Sequence, residues 1–200
     1  MCIQLLSLPR IFKTTVNTII GDVPYLKVDR QIVDEWKSVI DFKSLNVGLV
    51  WSGSKSHKND RNRSCTLSDF ALLADITGVR YYSLQKEDIG AGDSEWLDGL
   101  QIENLGRHLN DFYDTAAVIM NMDLIITVDT AVAHLAGALG RPVWTLIPFV
   151  PDWRWMLDRN NTPWYPTMRL FRQPRILDWG SVIKQVSNEL RKRVPERSMP

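Results

Sequence analysis

Residues 123–148, DLIITVDTAVAHLAGALGRPVWTLIP, hold more pattern than any other run of the chain. Leu124 to Val128 have the length and side chains of a buried strand. The run stops at Asp129-Thr130 and passes at once into an apolar helix, Ala131 to Leu139, that carries a single histidine, His134. Gly140 stands where a helix C-cap glycine belongs, with Pro142 just beyond it. A second strand-like run, Val143 to Ile147, follows. Two readings of the Asp-Thr junction stay open. It is an ordinary helix cap, worth about 1 kcal/mol, or it presents a helix N-terminus to a phosphate.

The same alternation extends outward from this unit. Val47–Gly53 is an apolar run ending in Ser52 and Gly53, a strand passing into a loop. Thr66 to Ile76 spaces Leu67, Phe70, Leu73 and Ile76 helically and stops at Gly78. Val79–Gln85 reads as a second strand, residues 86–96 as a turn-rich loop, and LQIENLG from Leu100 as a short third strand. Asn110–Met122 is a helix capped by Asn110 or Asp111. Met168–Gln173 is a strand, and the run from Asp178 to Val194 a closing helix. Alternating elements with near-continuously apolar strands indicate an α/β fold with a parallel sheet covered on both faces. Right-handed crossovers then favour a Rossmann-like, doubly wound arrangement. Residues 1–45 do not share this pattern, apart from a lead-in helix within Arg30–Asp41.

Composition bounds the function classes. The chain has 200 residues, enough for one large domain with a real core. A formal charge of +1 argues for neither a nucleic-acid nor an anionic-membrane partner. Two cysteines, Cys2 and Cys65, make no disulfide framework and no metal spacing, which fits a reducing compartment. The first residues lack the apolar core of a signal peptide, and no segment reaches a membrane span. The reading is a cytoplasmic protein. Of eight tryptophans, Trp144, Trp153, Trp155 and Trp164 crowd one stretch, where aromatic side chains either fill a core or line a cleft.

In a doubly wound sheet, ligands bind beyond the carboxyl ends of the strands where strand order switches. The usual order sets the first and fourth strands side by side there. The loops after them, SGSKSHKNDRNRS and DTAVAH, are therefore expected to face one crevice. Ala131 lets an anion approach the helix N-terminus, Thr130 can donate to a phosphate oxygen, and His134 lies one turn further on the same face. The loop after the first strand supplies Lys55, His57, Lys58, Arg61 and Arg63 as countercharge, and Gly53 lets it turn at once. Ser83, Gln85 and Lys86 end the second strand, where they either meet a base or ribose or are an ordinary polar strand end.

Several chemistries have no motif here. No G-x-G-x-x-G, G-x-x-x-x-G-K-[ST] or G-x-S-x-G run is present. The histidines have no metal-ligand spacing, and no D-x-D pair is present to hold a divalent ion under a diphosphate. Diphosphate chemistry at this junction is expected to be metal-independent.

Four stretches carry a family resemblance: VGLVWSGSKSHKNDRNRS from Val47, SLQK from Ser83, DFYDTAAVIMNMDLIITVDTAVAHLAGALGRPVW from Asp111, and PDWRWMLDRNNTPWYPTMRLFRQ from Pro151. They resemble the C-terminal half of bacterial glycosyltransferase family 9-like proteins. These are relatives of the ADP-heptose:lipopolysaccharide heptosyltransferases, here in a subgroup attached behind tetratricopeptide repeats. The resemblance implies the C-terminal half of a GT-B enzyme, whose substrate is a nucleotide-diphosphate sugar, ADP-heptose-like in its relatives, with no further cofactor. It divides the chain into residues 1–45, the tail of a preceding domain with a linker helix; residues 46–194, the Rossmann-like donor-binding domain; and residues 195–200, a flexible tail.

Carried over by position, Asp129, Thr130, Ala131 and His134 line the donor diphosphate site. Lys58 is the cationic partner, with Ser52, Gly53 and Gln85 beside it. Where heptosyltransferases usually have glycine after Asp-Thr, this chain has Ala131. In the family the presumed general base, a carboxylate, lies in an acceptor-side domain that precedes the donor domain, so no residue here is assigned as catalytic. An acceptor domain or a repeat protein is the implied partner. The alternative is a non-catalytic Rossmann-like binding or scaffolding module.

Overall fold

The computed structural model describes residues 3–86, 89 and 91–194. Cys2, the tail at 195–200, and residues 87, 88 and 90 of the turn-rich stretch lie outside the described residues. Six parallel strands form one sheet: β1 (Leu45–Val50), β2 (Val79–Ser83), β3 (Glu103–Asn104), β4 (Leu124–Val128), β5 (Val143–Ile147) and β6 (Met168–Arg172). Their order is β3-β2-β1-β4-β5-β6, with every neighbouring pair parallel. The order reverses between β1 and β4, as the doubly wound reading expects.

The α-helices are α1 (Leu8–Ile11), α2 (Arg30–Trp36), α3 (Asp60–Arg63), α4 (Ala91–Gly99), α5 (Phe112–Met120), α6 (Ala131–Ala138) and α7 (Trp179–Arg191). Alternation along each strand splits the core into two layers. Val47, Leu49, Leu124, Ile126, Trp144 and Leu146 face one side, against Phe70, Leu73 and the apolar stripe of α7. That stripe, Trp179, Val182, Ile183, Val186 and Leu190, has helical spacing, and Asp178 caps its start by accepting from Ser181 N. Val50, Ile125, Val143 and Ile147 face the other side, against Val118, Ile119, Ala133 and Ala136. Gly140 ends α6 with φ +67°, the left-handed conformation its C-cap position requires.

Two local readings change. The stretch from Lys86 to Trp96 is not loop throughout: α4 begins at Ala91. Its composition, with two glycines and two aspartates, is poor for a helix. Tertiary contacts compensate, since the Asp93 carboxylate accepts from Trp51 Nε1 at 2.9 Å and from Leu67 N at 3.0 Å. The helical spacing after Thr66 is a 3-10 helix, Leu67–Leu73, closed by a capping box between Thr66 and Asp69.

The segment before β1 runs along the α5/α6 face. Val23, Val28 and Trp36 pack against that core layer, and Tyr25 N and Leu26 N both donate to the Ala138 carbonyl. Asn121 Nδ2 donates to the Val33 carbonyl at 2.9 Å, joining α2 to the end of α5. Earlier residues pack less: Leu5, Leu6, Phe12 and Ile20 are exposed.

Candidate functional site

β4 is hydrogen-bonded to β1 on one edge and β5 on the other, so the loops leaving all three strands open at the same end of the sheet. At that junction Thr130 has the extended backbone of an N-cap residue, φ −134° and ψ 173°, yet its side chain caps nothing. Its Oγ1 lies 3.0 Å from Thr127 Oγ1 instead. The first turn of α6 is therefore left without a side-chain cap, and Ala131, its first residue, is exposed. Uncapped N–H groups at a helix start carry about half a positive charge. Their ordinary partners are water or an anion.

This turn borders a cavity of about 520 Å³. Asp129, Thr130, Ala131 and His134 form one wall, and His57, Asn59 and Arg63 come from the loop after β1. Pro148 and residues 150–154 come from the loop after β5. The two most polar strand ends thus do face one crevice.

Arg63 closes the floor between the first two groups. Its Nη1 donates to the Asp129 carbonyl at 2.7 Å, and its Nε lies 3.6 Å from Asp60 Oδ1. The surrounding loop is tied to itself: Gly53 N donates to Ser64 Oγ at 3.0 Å, and Ser64 Oγ donates to Asp60 Oδ1 at 2.7 Å. Gly53 is required by contact rather than by conformation, since a Cβ there would come within 2.3 Å of Arg63 Nη2. The Arg63 side chain is 13% exposed, and its guanidinium rests against the helix start of α6.

His134 lies one turn inside α6. Its Nδ1 is 3.1 Å from the Tyr165 hydroxyl, and its ring stacks on Trp155 at 5.1 Å between centroids and 20° between planes. Burial first, and the nearby Arg154 cation second, push its pKa below the ordinary imidazole value; Asp129 and Asp152 oppose them. The ring is therefore neutral near pH 7. Tyr165 reaches it because α6 has Gly137 beneath the phenol: a Cβ at that position would fall 2.4 Å from the ring.

The third wall is a braced loop. Asp152 caps the 3-10 turn Trp153–Trp155 by accepting from Arg154 N, and its Oδ1 also pairs with Arg154 Nε at 2.9 Å. Trp153 is 73% exposed at the rim, edge-on to Trp164, whose Nε1 donates to the Arg154 carbonyl. Met156 and Asp158 have φ of +54° and +55°, a conformation that costs a non-glycine residue about 1–3 kcal/mol. Arg172 on β6 holds them from beneath, donating to the carbonyls of Trp155 and Arg159.

The site residues expected from the sequence divide into two sets. Asp129, Thr130, Ala131 and His134 come together at the cavity. Ser52, Gly53 and Gln85 lie at the strand ends but outside its lining: Gln85 is buried, and its Oε1 accepts from Ser52 N at 3.1 Å, tying the ends of β1 and β2. Lys58 is exposed and also outside the lining. Arg63 holds the cationic position beside α6, and Asp152 and Arg154 add a charged pair for which sequence spacing gave no signal. Among the described residues, no group of three or more His, Cys, Asp or Glu side chains is placed to hold a metal ion. No helix among them is long and apolar enough to cross a membrane.

Comparison with known proteins bears on this arrangement. Residues 105–149, from the end of β3 through α5, β4, α6 and β5, match the family model for "Glycosyltransferase family 9 (heptosyltransferase)". The chain resembles ADP-heptose LPS heptosyltransferase II of E. coli with a TM-score of 0.58 at 15% identity, over 90% of this chain and 56% of that one. It also resembles the family 9 glycosyl transferase of Veillonella parvula with a TM-score of 0.55 at 13% identity, over 94% of this chain and 51% of that one. Among curated sequences, protein FlbA of Caulobacter vibrioides is 29% identical over 181 residues, 84% of this chain and 29% of FlbA. The chain thus spans about half the length of the two solved structures and under a third of FlbA. Residues 105–149 are similar to glycosyltransferase family 9, and the chain has the Rossmann-like α/β fold of the heptosyltransferase structures.

Proposed function

We propose that this chain is the donor-binding half of a family 9-type, metal-independent GT-B glycosyltransferase, holding a nucleotide-activated sugar in the cavity between the β1 and β4 loops. The observation that carries the reading is the uncapped start of α6 at Thr130-Ala131, open to the cavity beside the fixed Arg63 guanidinium. Phosphoryl groups suit that place on three counts. Backbone N–H groups there have no side-chain partner, the helix dipole is positive there, and the largely buried Arg63 side chain reaches across from the β1 loop.

The cavity supplies leaving-group stabilisation, since charge develops on the phosphoryl oxygens as the sugar departs. The base that accepts the acceptor's proton belongs to an acceptor half. Phe149, Val150, Trp153, Leu157, Ile176 and Leu177, exposed on the loops after β5 and β6, give that half an apolar surface to meet. Residues 1–45 are the tail of the domain that precedes the donor half, a repeat protein is a second candidate partner, and the cytoplasm is where such donors are found. A scaffolding module with the same fold would keep the sheet and lose the anion.

The test is Ala131→Glu. A carboxylate at the first position of a helix is favourable for folding, so the variant folds, while its charge occupies the place of the phosphate. Titration calorimetry with a panel of nucleoside mono- and diphosphates should give binding to the natural chain and none to the variant. Equal behaviour of the two chains, or no binding across the panel, would leave the scaffolding reading in possession.

A further inference from the structure

His134 has one nitrogen engaged and one open. Nδ1 lies 3.1 Å from the Tyr165 hydroxyl, whereas Nε2 has no hydrogen-bond partner among the described residues and is left to the cavity that the ring lines. Tyr25, on the segment that crosses α6, is a near neighbour that helps keep the Tyr165 hydroxyl protonated, and Tyr25 N is bound to the Ala138 carbonyl. Two side chains from distant parts of the chain thus lead to the cavity, Tyr165 and then His134.

We infer that Tyr165 is a positioning residue of the donor site: its hydroxyl donates to His134 Nδ1, fixes the neutral tautomer that carries its proton on Nε2, and aims that N–H at the anion. The inference rests on the proposed donor site and adds the device that sets its histidine.

The direction follows from the partner's chemistry. A carboxylate or carbonyl beside Nδ1 would hold a proton on Nδ1 and leave Nε2 an acceptor, the wrong polarity for a phosphate oxygen. A phenol, more acidic than an imidazole N–H, is the better donor of the pair and leaves Nε2 protonated. The ring's surroundings keep it uncharged. From the β5 loop come Arg154, which disfavours the imidazolium, and Asp152, which favours it; from the end of β4 comes Asp129. His57 and Arg63 enter from the β1 loop, and Tyr165 and Tyr25 complete the set. A neutral donor binds an anion without first waiting for a proton from solvent, so affinity stays level through neutral pH.

The chain has three histidines, His57, His108 and His134, which makes histidine-selective nitrogen NMR of the full chain readable without any ligand. His134→Gln assigns the ring. The expected result is an Nε2-protonated His134 at pH 7 whose titration midpoint lies below the ordinary imidazole value. Tyr165→Phe should shift its ring nitrogens toward a tautomer mixture and raise its midpoint, because the neutral form has lost its donor. If Tyr165→Phe does not fold, the tautomer of His134 in the natural chain decides the question. An Nδ1-protonated ring in the natural chain overturns the inference, and so do signals that ignore Tyr165→Phe.

A second arm uses ADP. Tyr165→Phe should weaken its binding about fivefold, the scale of one hydrogen bond. His134→Gln, which keeps a donor near the Nε2 position, should lose less than His134→Ala. If ADP and the other nucleotides fail to bind the natural chain while the NMR result stands, the donor reading falls and the positioning of His134 by Tyr165 remains.

Discussion

The cavity has two polar walls that were built in different ways. The β4–α6 junction is made by neighbours in sequence: a buried strand, a two-residue polar turn and a helix, all within Leu124–Ala138. The β1 loop is made by partners far along the chain. Arg63 is held by the Asp129 carbonyl and Ser52 by Gln85, while Trp51, at the loop's root, is bound to Asp93. A short-range wall has one conformation that local pattern can state. A long-range wall is fixed only when the sheet closes, and of the four lysine and arginine cations it carries, tertiary contacts select the one that lies against α6.

The most direct way to break this comparison is to exchange the cations. Arg63→Ala should weaken nucleotide binding about 10- to 100-fold, the range for losing a hydrogen bond to a charged group, whereas Lys58→Ala should change it less than about twofold, as befits an exposed charge screened by water. Calorimetric titration of both variants reads the difference, and a larger loss at Lys58 would return the cationic role to the residue that the family resemblance favours.

Next in size is Gly137→Ala, which pushes a methyl group into the Tyr165 ring. It should destabilise the fold by about 1–3 kcal/mol, as overpacking does, and displace Tyr165 from His134. Urea unfolding gives the first effect and the His134 ring signals the second. Asp178→Ala, at the start of α7 and away from the cavity, should cost about 1 kcal/mol for its lost cap bond while leaving nucleotide affinity unchanged. That separates stability from site geometry.

The smallest expected effect is on acid stability. Burial of His134 holds its folded-state pKa below the unfolded value of about 6.5. The resulting contribution is fully present above that unfolded value and is lost as pH falls toward the depressed folded one, because the unfolded chain takes up the proton first. Thermal melts between pH 7.5 and pH 5 should therefore fall more steeply for the natural chain than for His134→Gln, with conventional carboxylate losses common to both.

How much of this was legible in the sequence follows the same division. Strand order, the switch between β1 and β4, and the placing of Thr130, Ala131 and His134 at one cavity follow from periodicity and the doubly wound rule, because local pattern and topology agree there. The start of α4 was not legible. AGDSEWLDG is a weak helix former, and Asp93 earns its conformation from Trp51 and Leu67, which are distant in sequence. Nor was the role of Gln85, whose polar side chain at a strand end looks like a ligand contact and is used as a tie between strands. Tyr165 carried no pattern of its own; the signal was Gly137, a glycine inside a helix with no turn to make.

The Arg172 brace has a consequence for how the cavity meets molecules of different size. A guanidinium rooted in β6 fastens the Trp153–Asp158 wall from behind and holds two backbone positions in a costly conformation. Such a wall behaves as an anvil. Any tightening around a guest has to be done by the opposite jaw, the exposed 54–58 stretch of the β1 loop, and amide exchange should slow there first when the cavity fills.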